Sequence, residues 1–181
     1  GDAFFSRTFR KWMMRFDPTK YPKLQSIHLH TNATLWNESN WTRMQNVHRF
    51  VKSCEISVDA ACKDTYENKT RLGGKWDTLM SNLEYISNIP TLKNVTLSFV
   101  VQNDNFTEMK DFYELAGKIF GGKNKEWSVF YNRVVNWGHW SDEKFNSVDV
   151  GNPNHSQFPE LMKVYRTLPQ VTNIRHNLTI I

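Results

Sequence analysis

The chain has 181 residues, enough for one domain with a sizeable core, and its 39% hydrophobic and 23% charged residues exclude a disordered or fibrous polypeptide. No apolar run approaches the roughly 20 residues that span a bilayer, and the longest stretch, Leu97-Ser98-Phe99-Val100-Val101, is strand-sized, so no membrane partner is expected. Twenty-three Lys and Arg against 18 Asp and Glu give a net charge of +5, but the basic residues are scattered along the sequence, and nucleic acid is not an expected partner.

Helical periodicity comes first over residues 6–16, where Phe9, Trp12, Met13 and Phe16 recur at i, i+3, i+4 and i+7 behind a Ser6 cap and Asp17-Pro18 ends the run. A second helix is expected from an Asn37 cap to about Val51, with Trp41, Met44, Val47 and Val51 inward. The third follows Gly73-Gly74, carries Trp76, Leu79, Met80, Leu83 and Ile86 on one side, and ends before Pro90. In the fourth, Asn105 and Glu108 are spaced as a capping box, Met109, Phe112, Tyr113 and Ala116 form the stripe, and Gly121-Gly122 is the stop. Between the helices lie β-type runs at 26–30, 54–58, 94–101 and 127–135, whose starts are 28, 40 and 33 residues apart. Such spacing suits βαβ units with right-handed crossovers and therefore a parallel sheet. No linker composition divides the chain, so an α/β core over 1–136 is followed by an extension, 137–181, with a short helix near 159–166.

A parallel sheet covered on both faces reads as nearly continuous apolar runs. Here the runs alternate instead. Ile27, Leu29, Ile56, Val58, Leu97, Phe99 and Val101 form an apolar stripe, while His28, His30, Asn32, Glu55, Ser57, Asp59, Thr96, Ser98 and Gln102 form a polar one. The expected consequence is a curved, barrel-like sheet around a wet cavity that holds a ligand. Polar residues also recur just after each strand, where α/β folds bind ligands: His30-Thr31-Asn32-Ala33, Ser57-Val58-Asp59-Ala60-Ala61, Gln102-Asn103 and Asn132-Arg133. Asp59, Gln102, Asn132 and Arg133 are on this basis candidate substrate-binding residues.

Other chemistries have less support. His28, His30 and His48 have no third ligand at zinc spacing, and no metal site is expected in this chain. Neither double glycine has phosphate-loop context. Trp127, Trp137 and Trp140 near Arg133 read as core or rim rather than a stacking surface. Cys54 and Cys62 are too few for a disulfide framework and favour a reducing, cytoplasmic compartment. Against that stand eight Asn-x-Ser/Thr sites, at Asn32, Asn37, Asn40, Asn68, Asn94, Asn105, Asn154 and Asn177, read as a by-product of the Asn-rich composition. A secreted glycoprotein is the alternative they leave open.

Ile56-Ser57-Val58-Asp59-Ala60-Ala61, Asp64-Thr65-Tyr66-Glu67 and Arg71-Leu72-Gly73-Gly74-Lys75-Trp76-Asp77 together resemble the fourth strand and following loop of radical S-adenosylmethionine (SAM) enzymes. The likeness is greatest to members with an additional cluster-binding C-terminal domain of the SPASM or twitch type. His30-Thr31-Asn32-Ala33 looks like that family's Thr-Asn-Gly turn after strand three, and Gly1-Asp2-Ala3-Phe4 like the turn after strand two. The resemblance covers residues 1–136 and implies a partial (β/α)6 TIM-like barrel of which strands three to six are present, truncated at its N-terminus.

It further implies an enzyme that reductively cleaves SAM at a [4Fe-4S] cluster to begin hydrogen abstraction from a small-molecule or peptide substrate, with an external electron donor. Asp2 would stand where an acidic residue accepts the SAM amine; Ser57 and Arg71 match positions that hold the SAM carboxylate or ribose; His30 and Asn32 would face ribose or substrate. The family's Cys-x-x-x-Cys-x-x-Cys loop has no counterpart, so this chain alone is expected to be inactive. The competing expectation is a non-catalytic α/β module that binds a small polar ligand or carbohydrate in the same cavity.

Overall fold

The computed structural model describes residues 2–178. Gly1 of the N-terminal motif and Thr179 of the last acceptor site lie outside the described residues. Helix α1, Arg7–Met14, starts where expected, with the Ser6 side chain accepting from Phe9 N, and it buries Met13. Strand β1, Ile27–Thr31, follows, and then α2, Glu38–Thr42, capped by Asn37 accepting from Asn40 N. The helix expected from 37 to 51 is thus cut to little more than one turn plus a 3-10 turn at Gln45–Val47. Sheet pairing claims the rest: Ile27 N donates to Phe50 O and Lys93 N to Lys52 O, both at 2.7 Å, so strand β2 begins at Val51 and runs to Ser57. Trp41, Met44, Val47 and Val51 still face inward, as their spacing required.

After β2 come α3, Lys63–Thr65, and a π-helical turn, Tyr66–Thr70, that leads into α4, Trp76–Ser87. Strand β3, Asn94–Val101, is followed by a 3-10 turn, Phe106–Glu108, and α5, Met109–Phe120. Strand β4 is Glu126–Arg133. The extension holds α6, Asp142–Val148, then α7, Phe158–Arg166, close to the helix expected there, and a fifth strand, β5, Ile174–His176. β5 is three residues long, too short to show alternation in the sequence. It pairs with β4 and so ties the extension to the sheet.

The fold is α/β, with one five-stranded parallel sheet in the order β1-β2-β3-β4-β5. Each crossover leads to the adjacent strand in the same direction, and right-handed crossovers of that kind leave their helices on one face. That face is the apolar one: Leu29, Cys54, Ile56, Val95, Leu97, Phe99, Val129 and Tyr131 are all buried. The strand register puts His28 beside Ser53, His30 beside Glu55, Ser57 beside Ser98, Thr96 beside Ser128 and Phe130 beside Arg175 on the opposite face. Apart from the buried Ser98, these residues are half-buried or exposed. The sheet does not close on itself, and β1 and β5 are its edges.

Candidate functional site

The C-terminal ends of β1, β2, β3 and β4 are built by side chains that hold one loop to the next. At β1 the agent is Asp2. Its Oδ1 accepts from Phe4 N at 2.8 Å and Phe5 N at 2.9 Å, and its Oδ2 from Thr31 Oγ1 at 2.7 Å and Asn32 N at 2.6 Å. Those four donors fill a carboxylate's usual acceptor positions. Asn32 is turned into its own loop, where Oδ1 accepts from Thr34 N at 3.0 Å and from the Thr34 hydroxyl. Ala33 follows with φ 58 and is fully buried. Left-handed backbone costs an alanine roughly 1–2 kcal/mol, and glycine would adopt it without that penalty.

At β2 the arrangement centres on a buried acid. Asp59, at φ 63, accepts from Val100 N at 2.7 Å through Oδ1 and pairs through Oδ2 with Arg71 Nη2 at 2.5 Å. Burial pushes its carboxyl above the ordinary range, opposed by the Arg71 charge and the Val100 amide. Arg71 leaves the π-helical turn with its N–H on Tyr66 O, and its side chain is 32% exposed. Its Nε is buried and meets no partner among the described residues. Gly74 permits this packing, because a Cβ there would lie 2.6 Å from the Tyr66 ring and 2.8 Å from Arg71 O. Ser57, one turn of strand away, faces the open side of the sheet and its hydroxyl has no partner among the described residues.

The expected Asn105–Glu108 capping box does not form, because both side chains reach the 59–65 loop instead. Asn105 is fully buried; its amide donates to Asp59 O at 3.0 Å and Val100 O at 2.9 Å, and its Oδ1 accepts from Gln102 N at 2.8 Å. Glu108 accepts from Ala61 N at 2.6 Å and from the Thr65 hydroxyl, and Cys62 Sγ lies 3.3 Å away. A glycan on Asn105 would require the amide that makes these bonds to leave the core.

Over β3 and β4, Asn132 donates to Ser98 Oγ at 2.8 Å. Arg133 grips the buried Asp149 with Nε at 3.0 Å from Oδ1 and Nη2 at 2.6 Å from Oδ2, and its own N–H donates to Asn177 Oδ1 at 2.6 Å. This planar pairing raises the Arg133 pKa further, chiefly through its hydrogen bond to Asp149. Gln102 lends its N–H and carbonyl to the Asn105 turn. His30 lies at the sheet's other edge, exposed, with its ring 4.8 Å from that of His28. His28 itself is bound to Ser53 Oγ at 2.7 Å, and burial with the neighbouring His30 lowers its pKa.

The nine candidates therefore share one end of the sheet, but most are already engaged. Asp2, Asn32, Asp59, Asn132 and Arg133 make hydrogen bonds within the chain, whereas Ser57 and the unpaired part of Arg71 remain for a ligand. His30 lines a hollow of about 310 Å³ with Ala3, Ser6, Phe9, His28 and Leu29 at the β1 edge, away from Arg71's loop. Sequence reasoning did not find Asp149, Asn105 or Glu108 as organisers, since each acts on a loop 16 to 47 residues away. The aromatic candidates do not assemble: Trp127 packs on Tyr113 at 5.4 Å, and Trp137 is 82% exposed.

No group of three His, Cys, Asp or Glu side chains suited to a metal occurs among the described residues. Cys54 lies in the core on the helix side of the sheet, where burial drives its thiol pKa far up and keeps it protonated. No helix among the described residues is long and apolar enough to cross a membrane. The sequence matches no protein-family model and no curated protein.

Proposed function

We propose that this chain is the SAM-binding part of a radical SAM enzyme, with the nucleoside sulfonium lodged at the C-terminal ends of β1 and β2 on the polar side of the sheet. The observation that carries the reading is the junction made by Asp2, whose carboxylate joins residues 2–5 to the 30–33 turn through Thr31 and Asn32. Two stretches some 30 residues apart in the sequence thus meet in space. Ala33 adds to it, taking a positive φ where the resembling turn has glycine. The one-sided winding of the sheet is also what a segment of a (β/α)6 barrel would have.

The residues fit SAM in part. Arg71 presents a guanidinium already oriented by Asp59, with a buried Nε that lacks an acceptor, and a carboxylate would supply one. Ser57 offers a hydroxyl to the same ligand or to its ribose. Asp2, with both oxygens saturated, acts by holding the 30–33 turn. Asn132, Gln102 and His30 border the remaining open face toward a small-molecule or peptide substrate. The chain's two thiols, Cys54 buried in the core and Cys62 exposed, do not fit a [4Fe-4S] cluster, which is held by several cysteine thiolates.

Calorimetry of SAM binding tests this reading. The intact chain should bind weakly, and Ser57→Ala or Arg71→Lys should weaken binding about tenfold, the scale of one charge-assisted hydrogen bond. Arg71→Lys keeps the charge beside Asp59 while removing the planar fork. Equal affinity in the intact chain and both variants would sink the assignment and favour a binding module for another polar ligand.

A further inference from the structure

A hollow of about 630 Å³ lies at the other end of the sheet, where β3 and β4 begin. Its floor is on the polar face. There Arg175 of β5 reaches across to Thr96 and Ser128, its Nη2 3.1 Å from Thr96 Oγ1 and 3.4 Å from Ser128 Oγ, with the guanidinium 5.5 Å from the centre of the Phe130 ring. No carboxylate lies within ion-pair distance of Arg175 among the described residues, and its Nη1 and Nε keep their N–H groups free. Thr96 Oγ1 and Ser128 Oγ are 3.0 Å apart. One of them donates to the other, which leaves one hydroxyl proton to donate outward.

A second hollow of about 420 Å³ adjoins the first, sharing Asn94, Lys125 and Glu126, and adds Lys93 and Lys123. Two loops bring these lysines together, the one before β3 with Lys93 and the one before β4 with Lys123 and Lys125. They are near enough for Lys93 and Lys123 to depress the Lys125 pKa, although burial is the larger cause. Lys125 is fixed, donating to Ile89 O at 2.9 Å and Ile86 O at 3.3 Å. Lys123 lies 3.4 Å from Glu84 and 3.1 Å from Asn88 Oδ1, while Lys93 is exposed, with no side-chain partner among the described residues. Among the described residues four cations thus line the two hollows, and the only acid lining either is Glu126.

We infer that this trough is an anion-binding site for a small ligand of the diphosphate type, with one charged group on Arg175 and the Thr96–Ser128 hydroxyls and the other among Lys93, Lys123 and Lys125. A single carboxylate would leave most of this charge unmatched. A guanidinium with free N–H groups, a spare hydroxyl donor and clustered ammonium groups is the donor set that phosphate oxygens require. The site is separate from Ser57 and Arg71 and does not depend on their role.

Titration of the intact chain with pyrophosphate, followed by calorimetry at low and near-physiological ionic strength, tests the inference. Saturable binding that weakens with salt is expected, together with a loss of about tenfold in Arg175→Gln and a smaller loss in Lys93→Gln. Orthophosphate should bind more weakly than pyrophosphate, and Ser57→Ala should leave both unchanged. If Arg175→Gln loses its fold by circular dichroism, Thr96→Val and Lys93→Gln carry the test. Non-saturating titration, or equal affinity in the folded variants, would overturn the site. So would an oligonucleotide that binds more tightly than pyrophosphate and is lost in the same variants, since the surface would then belong to a nucleic-acid backbone.

Discussion

The two ends of the sheet handle positive charge in opposite ways. At the C-terminal end the two arginines of the candidate site are matched by buried acids, Arg71 by Asp59 and Arg133 by Asp149. At the N-terminal end Arg175 rests on hydroxyls, Lys125 on carbonyls, and Lys123 on an amide and one exposed glutamate. A guanidinium locked by a buried carboxylate orders the backbone around it, and removing either partner leaves a charge in a poorly solvated place. An exposed ammonium adds little to stability and remains available to an incoming anion. The first end is built for fixed geometry, the second for attraction.

The largest effect should come from Asp149→Ala, which removes the buried acid that Arg133 grips at the β4 end and should lower stability by about 3 kcal/mol in urea denaturation. Lys93→Gln, its counterpart at the opposite end, should move the same midpoint by less than about 0.5 kcal/mol. If the two variants lose similar stability, the contrast between the ends is wrong. Gly74→Ala should be next, about 2 kcal/mol destabilising, because the new methyl must displace the Tyr66 ring or the Arg71 carbonyl. Alongside the thermal midpoint, its SAM affinity should fall as that of Arg71→Lys does.

Ala33→Gly should change stability in the other direction. Relief of the left-handed backbone is worth roughly 1 kcal/mol after the small loss of buried methyl area, measurable as a raised denaturation midpoint. A lowered midpoint would show that the turn does not hold this conformation in solution.

The smallest effect is the pH dependence at the β1 edge. His28 has its pKa lowered in the folded chain by burial and by His30, with Glu55 opposing. The unfolded chain therefore binds more protons below the ordinary value of 6.5. The contribution is complete above that value and lost as pH falls through the lower, folded one. Thermal melts on the two sides of pH 6.5 should show a small drop on the acid side, and His28→Asn should flatten it.

How much was legible beforehand can be judged element by element. Helices α1, α4 and α5 and all of β3 followed from periodicity and stop signals, because a stripe of apolar residues at helical or strand spacing has one way to be buried. The 37–51 helix failed because periodicity alone cannot weigh one helical hydrogen bond against a ladder offered by two neighbouring strands. The Asn105–Glu108 pair failed for a related reason. The spacing is a local signal, but both side chains found partners 46 and 47 residues away that were also short of bonds.

The sequence by itself determined the parallel α/β class, the apolar and polar stripes and the residues gathered at the strand ends, since these depend on periods of 2 and 3.6 and on crossover length. Only the tertiary structure decided that the sheet remains open, which arginines are neutralised, and that lysines scattered through the chain form one basic trough. Charge pairing and charge clustering are properties of distance in space, and the linear order of the residues does not contain those distances.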